Sequence, residues 1–388
     1  MAVKFWEKNP ATETTPKKPK SVAREWGDAI LFAVVAATLI RWATFEAYTI
    51  PTPSMENSLL VGDYLFVSKL HYGPRTPQTP LQVPLTHQTI WGTNIPSFSD
   101  AIQLTSHRLP GFSEVKRNDV VVFNVPFEKQ YPADLRTNYI KRCIGIAGDQ
   151  IEVRQSQVYI NGKPAQNPPK LQTSYELATD APIRDDIFRE HSVVDYDHMG
   201  IPQPLFQGDT AFYTVHLTNE AAGFLREQPY VKRLTEQRLP AGIPDPSVFP
   251  NTVDFPSPTP LSATTRPWNA DNYGPLQIPK EGQTVTITPE NAGIYFKIIA
   301  QYEHNKGVTW QDNTIYQNGK PVTQYTFKQN YYFMMGDNRH NSQDSRYWGF
   351  VPADHIVGKA VLIWLSVDPF APNFFSKIRW SRLFHLID

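Results

Sequence analysis

The chain of 388 residues lacks several features that would identify its function quickly. It contains one cysteine, Cys143, so no intramolecular disulfide can form and the fold does not depend on oxidation. We expect Cys143 to be a small buried hydrophobe, because no cysteine–histidine signature marks it as a nucleophile. Basic and acidic residues both total 37, so the formal net charge is zero. This balance argues against a protein that binds nucleic acid, which would usually carry a basic excess.

Long hydrophobic runs are also scarce, and the one clear run covers residues 29–40. It is short for a membrane span of about 20 residues, but residues 26–48 together are long enough. Trp26 and Trp42 suit the two membrane interfaces, and Arg41 can extend toward the headgroups. The sequence therefore predicts one transmembrane helix over residues 26–48. A cleaved signal peptide and a buried helix of a soluble domain are the alternatives.

The residues before this segment are rich in basic side chains. The cations in this tail are Lys4, Lys8, Lys17, Lys18, Lys20 and Arg24. Because such residues prefer the cytoplasmic side, we expect residues 1–25 to form a cytoplasmic tail and the rest of the chain to lie outside. Residues 43–48 offer a poor small-residue cleavage site, which disfavours a cleaved signal peptide.

Beyond residue 48, short β-like runs alternate with turn residues. The runs are residues 64–68, 119–124, 139–140, 157–160, 211–215, 284–287, 314–317 and 358–366. Asn161-Gly162 and Asn318-Gly319 each close a run and predict tight hairpins. The predicted fold class is mostly β, with an antiparallel catalytic sheet and an inserted second β region after one transmembrane helix.

Two regions interrupt the strand pattern. Residues 74–111 hold six prolines and predict an extended loop. Residues 165–290 are also rich in proline, and we interpret them as an inserted β region because so long a loop without structure would be unusual. The catalytic domain would then consist of residues 49–164 and 291–388.

Two stretches contain residues that could form a nucleophile and its base. Pro51 and Pro53 hold the backbone extended up to Ser54, which is a weak nucleophile without a base. Lys141 lies on a predicted strand beside Ile140, and burial would lower its pKa as a general base requires. Taken singly, Ser54 is more commonly a turn residue and Lys141 a solvated lysine.

A third stretch, residues 333–352, is dense in small polar side chains. Asp337 and Asp344 lie there among Arg339 and Arg346, a composition suited to a hydrogen-bonded scaffold around a site. The alternative of a calcium loop is disfavoured, because the spacing of the oxygen ligands does not fit an EF-hand. We therefore expect no metal and no cofactor.

The three stretches in this order resemble the type I signal peptidases, the bacterial leader peptidases that use a serine–lysine dyad. Four boxes carry the resemblance, and they cover residues 51–55, 116–123, 139–142 and 336–346. The similarity extends over residues 26–72, 112–164 and 325–366. One such box is weak, but four in order after an N-terminal span are highly specific.

The resemblance implies a role for each matching position. Ser54 would be the nucleophile and Lys141 its general base, with Ser342 orienting Lys141 by a hydrogen bond. The Ser54 amide and the Thr52 hydroxyl would form the oxyanion hole. Tyr139 would support the site from the box that contains the lysine.

The resemblance implies one more contact, and the sequence departs from the family at two positions. Asp344 would pair with Arg346 to brace the loop. His340 stands where the family often has aspartate, which weakens any charged role there. Asn118 stands where the family usually has glycine, and asparagine tolerates left-handed backbone well.

The resemblance also implies a function and a location. The protein would be a membrane-anchored endopeptidase that removes N-terminal signal peptides from exported preproteins. Its partners would be such preproteins and the lipid bilayer, with no nucleic acid. It would lie in the bacterial cytoplasmic membrane as a single-pass protein, with its N-terminus in the cytoplasm and its catalytic domain on the periplasmic side. We expect Trp91, Phe98 and Phe112 to rest on the bilayer surface.

Three other functions fit parts of the pattern. A self-cleaving Ser-Lys repressor would need a DNA-binding module, which the sequence lacks. A penicillin-binding enzyme could use the S-x-x-K pattern of residues 113–116, but its companion K-T-G is absent. An inactive scaffold that binds exported proteins would not need Ser54, Lys141 and Ser342 together.

Overall fold

The structure is a computed structural model that describes residues 21–251, 266–371 and 373–387. Five of the six cations expected to flank the membrane span, Lys4 to Lys20, lie outside the described residues. The sixth, Arg24, lies in the first turn of the first helix.

Helix α1 (Val22–Ala43) is the apolar segment near the N-terminus. It begins at Ser21, whose hydroxyl accepts a hydrogen bond from the Arg24 amide, and it ends where Thr44 donates to the Ile40 carbonyl. Its 22 residues span about 33 Å, enough for a hydrocarbon core of about 30 Å. None of its residues is buried by protein. It is the one helix in the described ranges that is long and apolar enough to cross a membrane.

The bounds of α1 differ from the predicted span of 26–48. The helix begins four residues earlier, and it ends at Ala43 because Phe45–Thr49 form strand β1. Phe45 pairs with Ser68 and Thr49 pairs with Tyr64 on strand β2. The backbone groups of these residues are therefore bonded to a neighbouring strand and do not continue the helix.

The rest of the described chain is mostly strands. In chain order they are β1 (Phe45–Thr49), β2 (Asp63–Ser68), β3 (Val120–Asn124), β4 (Asn138–Gly145), β5 (Gln150–Arg154), β6 (Gln157–Ile160), β7 (Lys163–Pro164), β8 (Gln172–Thr179), β9 (Leu205–Gln207), β10 (Thr210–Thr218), β11 (Val231–Glu236), β12 (Tyr273–Gln277), β13 (Thr284–Thr286), β14 (Val308–Gln311), β15 (Thr314–Gln317), β16 (Lys320–Pro321), β17 (Gln324–Thr326), β18 (Tyr331–Met335), β19 (Val351–Pro352), β20 (Ile356–Ser366) and β21 (His385–Leu386).

The main sheet has eight strands and contains the first and the last of the strands described. Its order is β1-β2-β20-β3-β4-β18-β19, and β21 pairs with β20. All strand pairs in it are antiparallel. The remaining sheets have the orders β11-β8-β10-β9, β12-β5-β6-β7, β13-β17 and β14-β15-β16. The predicted fold class, mostly antiparallel β after one apolar helix, is confirmed.

Strand β3 shows why the main sheet is stable. Successive side chains of a strand point to opposite faces. Val120 and Val122 belong to one apolar cluster, while Val121 and Phe123 belong to another on the opposite face. The uninterrupted apolar run of β3 is therefore explained, because both faces of the sheet are covered.

The region predicted as an insertion has a core of its own. Strands β8, β9, β10 and β11 form one sheet, which packs with helix α3 (Asn219–Arg226) around buried side chains such as Leu177 and Leu225. Strands β12 and β13 also fall within residues 165–290, but they pair with β5 and β17 instead. The separate sheet therefore ends at Glu236, well before residue 290.

The sequence pattern indicated none of the short helices. They are α2 (Asp185–Glu190), α3, α4 (Ala292–Lys297), α5 (Ser345–Trp348) and α6 (Phe374–Lys377). Helix α4 continues into a π-helical turn, Ile298–Tyr302, and most of these residues are buried in the largest apolar cluster.

Residues 74–111 carry isolated bridges but no continuous strand. Side chains attach this loop to the main sheet, since Arg75 donates to Asn124 Oδ1 and Arg108 donates to the Ile356 carbonyl. Trp91 is exposed, as is Phe112 just after the loop, but Phe98 packs against Tyr131 and is half-buried.

Candidate active site

Ser54 lies in a tight turn between β1 and β2. Residues Pro53–Met55 form a 3-10 turn that the Glu56 amide closes on the Pro53 carbonyl. Met55 is fully buried in the apolar cluster on one face of the main sheet. The turn therefore holds Ser54 firmly, with its residue only 8% exposed.

Lys141 lies on β4, where it pairs with Val121 of β3. Its Nζ lies 2.7 Å from Ser54 Oγ and 3.0 Å from the Ile140 carbonyl oxygen. The same atom lies 5.2 Å from the centre of the Tyr139 ring. A serine hydroxyl and a possible base within hydrogen-bond distance are the basic requirement of nucleophilic catalysis.

The environment of Lys141 favours the neutral form of its side chain. The residue is 4% exposed, and burial lowers its pKa to about 8. The carboxylates of Asp344 and Asp337 act in the opposite direction and keep the pKa from falling further. A fraction of the lysine is therefore neutral near neutral pH and can accept a proton.

Two hydrogen-bond donors beside Ser54 are unused. Thr52 is extended and exposed, and its hydroxyl does not cap the following turn. Within the described part of the chain, neither this hydroxyl nor the Ser54 amide donates to another protein group. Both are available to a bound oxygen atom.

Ser342 is close to these residues but does not make the predicted hydrogen bond to Lys141. Its buried hydroxyl has no hydrogen-bond partner among the residues described. It lies against Gly336, where an added Cβ would be 2.3 Å from Ser342 Oγ and 2.5 Å from the Ser54 carbonyl oxygen. The site is therefore packed so tightly around Gly336 that it has no room for a side chain there.

Asp344 and Arg346 form a fully buried ion pair with two parallel hydrogen bonds. The Arg346 Nε and Nη2 donate to the two carboxylate oxygens of Asp344 at 2.9 and 2.8 Å. Burial raises the pKa of Asp344, but Arg346 outweighs it and the pKa is lowered overall. The same carboxylate accepts from the Gly336 amide at 3.1 Å and so orders the loop beside Ser54.

A second buried ion pair received no role in the sequence analysis. Arg142, which follows Lys141, donates from Nε and Nη2 to Asp337 at 2.9 and 2.7 Å. Asp337 also accepts from the Ser58 hydroxyl at 2.6 Å. The next residue, Asn338, donates its backbone amide to the Ser54 carbonyl at 3.1 Å. The sequence signals for this ion pair were Asp337 in the last box and Arg142 directly after Lys141.

The two departures from the family have structural explanations. His340 accepts from the Ser174 amide at Nδ1 and donates from Nε2 to Asp271, at 2.9 and 2.8 Å. It therefore links the last box to β8 and to the segment before β12. Asn118 has a φ of +71°, in the left-handed region that glycine adopts freely and asparagine tolerates.

The described ranges contain no cluster of three or more histidine, cysteine, aspartate or glutamate side chains able to hold a metal ion. Cys143 is fully buried, and burial raises the pKa of its thiol.

The chain is similar to a known family and to several characterised proteins. The family model for signal peptidase, peptidase S26, matches residues 23–203 and 277–365. Signal peptidase I of Buchnera aphidicola subsp. Acyrthosiphon pisum is 24% identical over 354 residues, which cover 90% of this chain and 77% of the relative. Signal peptidase I of Haemophilus influenzae is 23% identical over 95% of this chain and 77% of its own length. That of Rickettsia massiliae is 34% identical over 37% of this chain and 45% of its own length.

Together the antiparallel β fold, the buried serine and these similarities define a serine endopeptidase. The chain belongs to the signal peptidase family, peptidase S26. The internal stretch that the family model does not match, residues 204–276, contains β9, β10, β11 and all of β12 except its last residue, so the match is interrupted within the region predicted as an insertion.

Proposed function

We propose that this protein is a membrane-anchored endopeptidase that removes N-terminal signal peptides from exported preproteins through a Ser54–Lys141 dyad. The observation that carries the proposal is the 2.7 Å contact between Lys141 Nζ and Ser54 Oγ, in a site that lowers the pKa of the lysine to about 8. Membership of the signal peptidase family supports the choice of substrate.

The first half of the reaction forms an acyl-enzyme. Ser54 Oγ attacks the carbonyl carbon of the scissile bond, while neutral Lys141 takes the hydroxyl proton. The carbonyl oxygen becomes an oxyanion, and the Ser54 amide and the Thr52 hydroxyl donate hydrogen bonds to it. The protonated lysine then gives its proton to the leaving amine, the C–N bond breaks, and the mature protein departs.

The second half of the reaction repeats these roles with water. Lys141, neutral again, takes a proton from a water molecule, whose oxygen attacks the ester carbonyl. The same two donors stabilise the second oxyanion. The proton returns to Ser54 Oγ as the ester bond breaks, and the signal peptide leaves with a free carboxylate.

The surrounding residues position this dyad. Asp344 with Arg346, and Asp337 with Arg142, brace the loop and the strand that meet at Ser54. The ring of Tyr139 lies beside the lysine and helps to exclude water. Ser342 has an unused hydroxyl and lies across Gly336 from the Ser54 carbonyl, and its proposed role is to orient Lys141 when substrate is bound.

The anchor supports a location as well as a function. Helix α1 exposes large apolar side chains such as Leu31 and Phe32, which are stable in lipid but not in water. Because a basic tail precedes the helix, we infer from the positive-inside rule that the N-terminus lies in the cytoplasm and the catalytic domain on the periplasmic side of the bacterial cytoplasmic membrane. Anchoring confines enzyme and preprotein to one membrane and raises their effective concentration.

The test is cleavage of a preprotein by the full-length protein in detergent. We expect Ser54→Ala and Lys141→Ala each to abolish measurable processing, while the matched controls Ser99→Ala and Lys320→Ala, both at exposed positions, retain it. N-terminal sequencing of the product identifies the cleaved bond. Full activity in either dyad variant would exclude the mechanism.

A further inference from the structure

A cavity of about 600 Å³ lies beside the end of α1 and is lined by neither Ser54 nor Lys141, and we call it the anchor-end cavity. It is bounded by the end of α1, by β1, by the loop of residues 74–111 and by the start of β4. Its lining includes Leu39, Trp42, Tyr48, Val83, Leu135 and Asn138. The volume is typical of sites that bind small molecules or short peptide segments.

The cavity is continuous with the two strands that lead to the dyad. Asn138 lies three residues before Lys141 on β4, a distance of about 10 Å along a strand. Tyr48 precedes Ser54 by six residues, and it packs with Ile140 against the same apolar cluster as Met55. A peptide bound at Ser54 and extended along these strands toward α1 therefore reaches the cavity.

Both strands offer backbone groups to such a peptide. β1 is at the edge of the main sheet and pairs only with β2 among the strands described. On β4, β18 pairs only from Arg142 onward, so residues 138–141 have strand β3 on one side and no described strand on the other. Exposed strand edges bind extended peptides by adding a strand.

The walls of the cavity favour apolar side chains. Three of the charges within it compensate one another, because Glu46 is bound by Lys69 at 2.9 Å and by Arg41. The other two charged side chains are hydrogen-bonded, since Arg75 donates to Asn124 Oδ1 and Asp134 accepts from two backbone amides of the loop. Glu46 also accepts from the Tyr48 hydroxyl at 2.8 Å. What remains uncovered includes the side chains of Leu39, Trp42 and Val83.

We propose that the anchor-end cavity binds apolar side chains of the preprotein about four to seven residues before the cleaved bond. The inference rests on the proposed function and extends it to a specificity site. A signal peptide carries an apolar region of 7–15 residues shortly before its cleavage site. With the scissile carbonyl at Ser54, the end of that apolar region lies at the cavity, beside Leu39 and Trp42 at the end of α1.

The test compares two peptide substrates that share the same cleavage site. The long peptide has leucines at positions four to seven before the cleaved bond, and the short peptide ends three residues before it. The variant is Val83→Asp, which places a carboxylate in the cavity at a residue that is 45% exposed. Ile95→Asp is the matched control, since Ile95 lies in the same loop, is 59% exposed and does not line the cavity.

We expect Val83→Asp to lower kcat/KM for the long peptide about tenfold, equivalent to about 1.4 kcal/mol, mainly through KM. Its activity on the short peptide should match that of the unaltered protein. Ile95→Asp should leave both activities unchanged. Val83→Leu, which keeps the cavity apolar, should keep the preference of the unaltered protein for the long peptide.

Several outcomes would overturn the inference while leaving the dyad intact. They are equal cleavage of the two peptides by the unaltered protein, an equal loss on both in Val83→Asp, and the same loss in Ile95→Asp. A photocrosslinker on Val83→Cys that captured phospholipid and never the long peptide would assign the cavity to lipid instead. If the unaltered protein cleaved neither peptide and no preprotein, the proposed function itself would fail.

Discussion

Arg142 and Asp337 form a buried, doubly hydrogen-bonded ion pair that joins the strand of Lys141 to the loop of the last sequence box. The two residues are 195 positions apart in sequence, and their atoms meet at 2.9 and 2.7 Å. Because Arg142 is the direct neighbour of Lys141 on β4, this pair fixes the strand that carries the proposed base. Ser58, four residues after Ser54, donates to the same carboxylate and links the turn of the proposed nucleophile to it.

Asp337→Asn should destabilise the protein strongly, because it removes the carboxylate charge to which the buried Arg142 guanidinium is bound. We expect a loss of about 3–5 kcal/mol in the free energy of unfolding. Denaturant unfolding in detergent measures it. The matched control is Glu152→Gln, which removes the partner of the exposed Arg154 and should cost about 0–1 kcal/mol. Equal losses in the two variants would contradict the structural role of the buried pair.

The pH profile of cleavage should follow the deprotonation of Lys141. Burial lowers the pKa of this lysine to about 8, and only its neutral form can accept the Ser54 proton. We therefore expect kcat/KM to rise about tenfold per pH unit below pH 8 and to level off above it. Initial rates with one peptide from pH 6 to pH 10 measure this. A profile that is flat across this range, or that falls as pH rises through 8, would rule out lysine as the base.

Thr52→Val should lower kcat while leaving KM nearly unchanged, since it removes a donor used only when the oxyanion forms. One such donor is typically worth about 10²–10³ in kcat. Thr52→Ser keeps the hydroxyl and should therefore keep most of the kcat of the unaltered protein. Steady-state kinetics on the same peptide separate the two parameters. A loss that appears in KM alone would assign Thr52 to substrate binding instead.

Gly336→Ala should displace groups next to the proposed dyad without replacing Ser54 or Lys141. The new Cβ would lie 2.3 Å from Ser342 Oγ and 2.5 Å from the Ser54 carbonyl oxygen, so one of these groups must move. A displacement of about 1 Å at a reacting group can cost about 100-fold in rate, and we expect a fall in kcat of that order.

The matched control for this glycine is Gly223→Ala. Gly223 lies in helix α3, and nothing lies within 4 Å of an added Cβ. This variant should keep full activity and gain up to about 1 kcal/mol of stability, because alanine is the better helix former. If Gly336→Ala also kept its full kcat, the tight packing around Ser54 would have no role in catalysis.

Local patterns in the sequence predicted the strands better than the helices. Asn161-Gly162 and Asn318-Gly319 close hairpins as expected, because the left-handed backbone of these turns selects such residues. The helix at 292–297 was not predicted. Its residues are buried all round, so they lack the apolar stripe that would distinguish a helix from a strand.

The candidate site was predictable only in part, because some of its contacts join distant segments. Ser54 and Lys141 could be named from the boxes, but the partner of Asp337 depends on how β4 and β18 pair. His340 bridges to Ser174 and Asp271, both outside the boxes, and no short-range pattern indicates such a contact. The end of α1 at Ala43 was missed for the same reason, since β1 depends on the distant strand β2.

The junction between helix α1 and the main sheet fixes the position of the catalytic domain relative to the helix. One residue, Thr44, separates α1 from β1, and the indole of Trp42 donates to the Arg75 carbonyl at 2.7 Å. Such a short, braced link leaves little freedom for the catalytic domain to tilt against its anchor. With α1 in a membrane, as proposed, we expect the distance of Ser54 from the membrane surface to be nearly constant. A preprotein would then be cut at the bond that lies at this distance, so that position selects the bond together with the side chains around it.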